Sequence, residues 1–132
     1  MIERSERPWP DGTGHGIGRM KVLVVEDEPL LAMLLEESLV ELGHEVAGSA
    51  ATVDQAMAAL DSGEVDFALL DYTLADETNA GPVAARLRGQ AIPFVYLTGH
   101  RSLPLGDEIP TAPMLAKPFT LDQLDDALRE AA

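Results

Sequence analysis

Cysteine is absent from the 132 residues, which excludes disulfides and thiolate metal sites and accords with a reducing compartment. Histidine is sparse, and His15, His44 and His100 are scattered, so an imidazole-based zinc site is a poor fit. Basic residues are few. Nine Lys and Arg stand against 23 Asp and Glu, and the formal net charge of −14 would repel nucleic-acid backbones and anionic membrane surfaces. No apolar run approaches the roughly 20 residues that span a bilayer, and the first residues lack the apolar core of a signal peptide. The expectation is a cytoplasmic protein with no nucleic-acid partner and no membrane insertion. A basic partner or a bound cation suits the charge better.

What is present fits one domain, since 46% apolar residues in a chain of this length can bury an ordinary core. Residues 1–19 carry Pro8, Pro10 and the glycines of Gly12-Thr13-Gly14-His15-Gly16-Ile17-Gly18 with little apolar periodicity, and read as a flexible N-terminal extension. A nucleotide-binding loop is excluded by position, because such loops follow a strand and open a helix. Residues 20–132 then form the folded domain.

From Lys21 the pattern alternates strand and helix, which predicts parallel βαβ units. Val22-Leu23-Val24-Val25 is a strand. Pro29 opens a helix whose Leu30, Leu31, Leu34, Leu35, Leu39 and Leu42 are expected on one apolar face, ended by Gly43. His44 to Ala50 gives a short second strand, Glu45-Val46-Ala47-Gly48, before a helix capped by Thr52 or Asp54 and running to Leu60. The third strand is Phe67 to Leu70, with a helix from Pro82 to Arg88 beyond the loop that follows it. The fourth strand begins at Phe94. Between Thr98 and Met114, Pro104, Pro110 and Pro113 leave room only for a short or irregular fourth helix. Met114-Leu115-Ala116 is the fifth strand, and Thr120 caps a last helix burying Leu121, Leu124 and Leu128. His15 and His44 are expected to face solvent.

The chemistry sits at strand ends. Asp71 closes the apolar run Phe67-Ala68-Leu69-Leu70, where a carboxylate needs a partner. The first strand ends in Glu26-Asp27, the fourth in Thr98 and the fifth in Lys117. In an open parallel sheet, residues beyond the carboxyl ends of the strands converge on one crevice. Glu26 and Asp27 could also serve only as helix caps, Thr98 as a turn former and Lys117 as a solvated lysine. None of those roles accounts for Asp71.

Taken together, an acidic pair after strand one, an aspartate after strand three, a hydroxyl after strand four and Lys-Pro after strand five resemble the receiver domain of bacterial two-component response regulators. The spacings of 44, 27 and 19 residues that separate Asp27, Asp71, Thr98 and Lys117 are similar to the family's, with the last two slightly short. Pro93-Phe94-Val95-Tyr96-Leu97-Thr98-Gly99 further resembles stand-alone alphaproteobacterial receivers with a Phe-Ala-Thr-Gly signature. The resemblance implies a doubly wound, flavodoxin-like α/β fold with five parallel strands in order 2-1-3-4-5. It implies that Asp71 is the phosphoacceptor, taking a phosphoryl group from a phosphohistidine on a sensor histidine kinase or histidine phosphotransfer protein. Thr98 and Lys117 would bind the phosphoryl oxygens, and Glu26, Asp27, Asp71 and the backbone carbonyl of Thr73 would hold Mg²⁺.

The expected function is thus that of a single-domain response regulator signalling through protein contacts in a phosphorelay, not a turnover enzyme. Two departures bear on its switching. Met114 stands where receivers carry an aromatic residue three positions before the lysine, and the usual Met-Pro after the phosphoacceptor is missing, with Asp76 and Glu77 nearby. We expect the segment from Gly99 to Pro113 to change order on modification instead. Two rivals remain: an adaptor that keeps the fold without phosphorylation, and a Mg²⁺-dependent aspartyl phosphatase, which would want an acid where Thr73 stands.

Overall fold

The computed structural model describes residues 19–72, 81–99 and 112–131. The N-terminal extension up to Gly18, the loop with Thr73, Asp76 and Glu77, and the segment from His100 to Thr111 with its expected irregular helix lie outside the described residues. Among those described, five strands and four helices follow one another: β1 (Lys21–Val25), α1 (Pro29–Glu41), β2 (Glu45–Ala50), α2 (Val53–Asp61), β3 (Phe67–Asp71), α3 (Gly81–Gly89), β4 (Phe94–Thr98), β5 (Met114–Ala116) and α4 (Leu121–Ala131). All strands pair in parallel in the order β2-β1-β3-β4-β5. This is the expected doubly wound arrangement.

Strand alternation divides the core in two. Val22, Val24, Phe67, Leu69, Val95 and Leu97 face one side, where Leu35 and Leu39 of α1 and Leu124 and Leu128 of α4 cover them. Leu23, Val25, Ala68, Leu70, Phe94 and Tyr96 face the other, under Ala56 and Leu60 of α2 and Val83, Ala84 and Leu87 of α3. Because β1, β3 and β4 are covered on both faces, they read as unbroken apolar runs. Each leucine in these layers contributes about 1.5–3 kcal/mol relative to exposure.

Helix ends follow local chemistry. Pro29 lies in the first turn of α1, and Gly43, at φ 94°, takes the left-handed conformation that lets its N–H reach the Val40 carbonyl and the His44 N–H reach that of Leu39. Thr52 accepts from the Gln55 N–H while Gln55 accepts from the Ala51 N–H, a reciprocal cap. Thr120 and Gln123 repeat the exchange before α4.

Three expectations are corrected. The six leucines of α1 do not share a face: Leu30 is 75% and Leu34 58% exposed, while Ala32, Leu35 and Leu39 are buried. The helix is apolar around most of its circumference, so two stripes compete and the sheet takes only one. The other, with Leu30, Met33, Leu34 and Val40, faces outward. His44 is buried, because its Nδ1 accepts the Met20 N–H at 3.2 Å where the chain enters β1. In α4, Leu121 is only half-buried and Ala127 completes the inner face with Leu124 and Leu128.

Candidate functional site

The four strand-end groups meet. Glu26 directly follows β1 and its N–H donates to the Ala50 carbonyl, fixing the chain where it leaves the sheet. Asp71 is the last residue of β3 and pairs in register with Leu97. Thr98 ends β4, and its carbonyl accepts the Lys117 N–H at 2.8 Å, which draws the end of β5 against it. The Lys117–Pro118 bond is cis. Glu26, Asp27, Glu28, Asp71, Tyr72, Thr98, Gly99 and Lys117 line an open cleft of about 460 Å³ at the carboxyl ends of the strands.

One oxygen from each of Glu26, Asp27 and Asp71 lies within 4.8 Å of the others. The Lys117 ammonium is 3.0 Å from Glu26 Oε1 and 3.6 Å from Asp71 Oδ2, and the two carboxylates are nearly sealed from solvent, with side-chain exposures of 1% and 7%. Burial alone would lower the lysine's pKa. Pairing with Glu26 and the nearby Asp71 charge outweigh it, so the ammonium is held above the ordinary lysine value. Among the described residues, three carboxylates face one ammonium, a formal excess of about two negative charges. Capping does not offset that excess: Glu28, which opens α1, makes no side-chain cap, and Glu26 Oε2 accepts the nearby Glu28 N–H.

The donor set fits a hard divalent cation. Carboxylate oxygens are what Mg²⁺ prefers, and three of them gathered within 4.8 Å of one another are close enough to face a single ion. The structure therefore unites Glu26, Asp27, Asp71, Thr98 and Lys117, and leaves Thr73 outside the described residues. Tyr72 was not among the residues singled out by the sequence reading. Its only sequence signal is its place directly after Asp71.

The pattern of the response regulator receiver domain matches residues 22–129. This chain belongs to that family. The receiver is 37% identical over 126 residues to the transcriptional regulatory protein TcrA of Mycobacterium tuberculosis, covering 89% of this chain and 49% of TcrA. Among solved structures it superimposes on the PhyR receiver domain of Erythrobacter litoralis with a TM-score of 0.77 at 31% identity, covering 86% of this chain and 89% of that one. SdrG from Sphingomonas melonis Fr1 gives 0.74 at 39% identity, covering 83% and 93%. The chain spans about half the length or less of the curated relatives it matches. As a receiver it is a signalling domain of two-component systems, a family whose acidic pockets bind Mg²⁺, and its own acidic cluster is in place.

Proposed function

We propose that this receiver accepts a phosphoryl group on Asp71 in a Mg²⁺-dependent reaction and signals through protein contacts. The observation that carries the reading is the nearly sealed Asp71 carboxylate, with an ammonium on one side and two further acids within 4.8 Å. An Asp71 carboxylate oxygen attacks the phosphorus of a phosphohistidine, the P–N bond breaks, and the electron pair leaves with the imidazole, which takes up a proton. The product is an aspartyl phosphate. Such transfers depend on placement and charge neutralisation more than on covalent help. Lys117 neutralises one phosphoryl oxygen, and the Thr98 hydroxyl donates to another. Glu26, Asp27, Asp71 and the Thr73 carbonyl would hold the Mg²⁺, which when bound supplies further neutralisation of the transferring oxygens.

The donor in this reading is a sensor histidine kinase or a histidine phosphotransfer protein, and the outer stripe of α1, which starts directly beyond Glu28, supports a protein partner beside the cleft. A cytoplasmic setting goes with such a donor. No helix among the described residues is long and apolar enough to cross a membrane.

Incubation with Mg²⁺ and acetyl phosphate, followed by intact-mass measurement, tests the proposal. The wild type should gain one phosphoryl group and Asp71→Asn none. Equal gain in both, or none in either, would remove the reading, and continuous release of phosphate would favour the phosphatase rival.

A further inference from the structure

Four of the five large apolar side chains exposed among the described residues belong to α1: Leu30, Met33, Leu34 and Val40. Separations of three, four and seven residues set them on one outer face, which the exposed Glu37 and Glu41 complete. α1 carries no Lys or Arg, so its last turn, where the helix dipole favours a cation, ends on Glu41. An apolar strip with an acidic end suits a segment that is both apolar and basic.

Such a segment of this chain enters beside the strip. Met20 is buried, its N–H donates to His44 Nδ1 at 3.2 Å, and its carbonyl accepts the Glu45 N–H at 2.9 Å. The residues before Met20 therefore join the domain at the carboxyl end of α1, close to Val40. They hold the chain's one tryptophan, Trp9, between Pro8 and Pro10. In residues 1–19, Arg4, Arg7 and Arg19 balance Glu3, Glu6 and Asp11, so the remaining residues bear the whole −14 and do not repel this segment as they would another acidic one. Eleven residues separate Trp9 from Met20, a reach of up to roughly 36 Å. The 13 residues of α1 run only about 20 Å. Trp9 can thus reach Leu30 at the far end of the strip, beside the cleft.

We propose that residues 1–18 dock within their own chain along the outer face of α1, with Trp9 seated among Leu30, Met33 and Leu34 and Arg7 paired with Glu37. Pro8 and Pro10 restrict the backbone on either side of the indole, so fewer torsions are ordered when it docks. The docked segment covers the face beside the cleft and excludes a protein that would use it, whatever Asp71 does. Docking of so short a segment is a small balance of burial against ordering, so truncating one exposed leucine moves that equilibrium with little change in the unfolding midpoint of the domain.

Because Trp9 is the only tryptophan, its emission reads the contact in the full chain. The wild type should emit at shorter wavelength than the same chain in urea, and acrylamide should quench it less than it quenches the unfolded chain. Leu30→Ser with Leu34→Ser should abolish both differences while far-ultraviolet circular dichroism stays unchanged, since both side chains are exposed on the helix. Glu37→Lys alone should weaken both, and Glu37→Lys with Arg7→Glu should restore them. Wild-type emission equal to that in urea, a shift that survives Leu30→Ser with Leu34→Ser, or a shift that grows with protein concentration and so reports a second copy, overturns the proposal. Failure of the charge exchange to restore the shift overturns the pairing of Arg7 with Glu37.

Discussion

Replacing Asp71 by asparagine should make the metal-free protein more stable. Asp71 sits within 4.8 Å of an oxygen on each of two other carboxylates and 3.6 Å from one ammonium. With an effective dielectric of about 20, each repulsion is worth roughly 3.5 kcal/mol at that outer limit of separation and the attraction roughly 4.6 kcal/mol, so the two repulsions exceed the attraction by about 2 kcal/mol or more. Asparagine keeps the shape, removes that excess, and leaves the tighter Lys117–Glu26 pair at 3.0 Å intact. We therefore expect Asp71→Asn to gain about 1–3 kcal/mol in urea unfolding followed by circular dichroism with chelator at low salt. The gain should shrink in salt, because Asp27, one of the two repelling acids, is open to solvent and screened while the Glu26–Asp71 repulsion is not. Mg²⁺ should stabilise the wild type in proportion to the logarithm of its concentration and stabilise the variant less. A variant no more stable than wild type in chelator would refute the charge accounting, and an equal response to Mg²⁺ would refute Asp71 as a ligand.

The two stripes of α1 predict opposite outcomes for neighbouring leucines: Leu35→Ala, in the core, should cost about 2–5 kcal/mol, whereas Leu34→Ala, 58% exposed, should stay within about 0.5 kcal/mol by the same unfolding assay. Thr52→Ala should lose about 1 kcal/mol, because the Gln55 N–H at the start of α2 loses its acceptor. Burial first, then the charge of Tyr72, pushes the Tyr96 hydroxyl up from 10.0 to about 12. A folded pKa above the unfolded one gives stability that is complete below about pH 10 and is lost as pH rises through about 12, by an amount on the order of 2–3 kcal/mol. Tyr96→Phe should remove that share of the alkaline loss, measured as urea midpoints between pH 9 and 12, and an unchanged slope would reject it.

The strands and the cluster of Glu26, Asp27, Asp71, Thr98 and Lys117 were legible because each depends on a local contrast: a polar group closing an apolar run is visible in a handful of residues, whereas the strand order came only with the family resemblance. The readings that failed depend on contacts far apart in sequence. His44 looks like a polar residue after a helix, and its burial depends on a contact 24 positions away, where its Nδ1 accepts the Met20 N–H. Leu30 and Leu34 look like core because α1, apolar through most of Pro29 to Val40, carries little phase information. Tyr72 was overlooked because its partner, Tyr96, lies on another strand.

The placement of Lys117 bears on how the cleft keeps a reactive carboxylate. An ammonium bonded tightly to Asp71 would neutralise it and reduce its nucleophilicity, while no ammonium at all would leave three acids to repel one another at low dielectric. Lys117 does neither, because it leans on Glu26 at 3.0 Å and stands 0.6 Å farther from Asp71. A lysine suits that intermediate position better than an arginine, since its compact charge on a flexible stem can shift between two acceptors without breaking a planar pair of bonds. The residual negative charge then favours a cation near Asp27, the most open of the three acids. In the proposed reaction, a cation held there would free the ammonium from offsetting carboxylates to meet the oxygens of an incoming phosphoryl group.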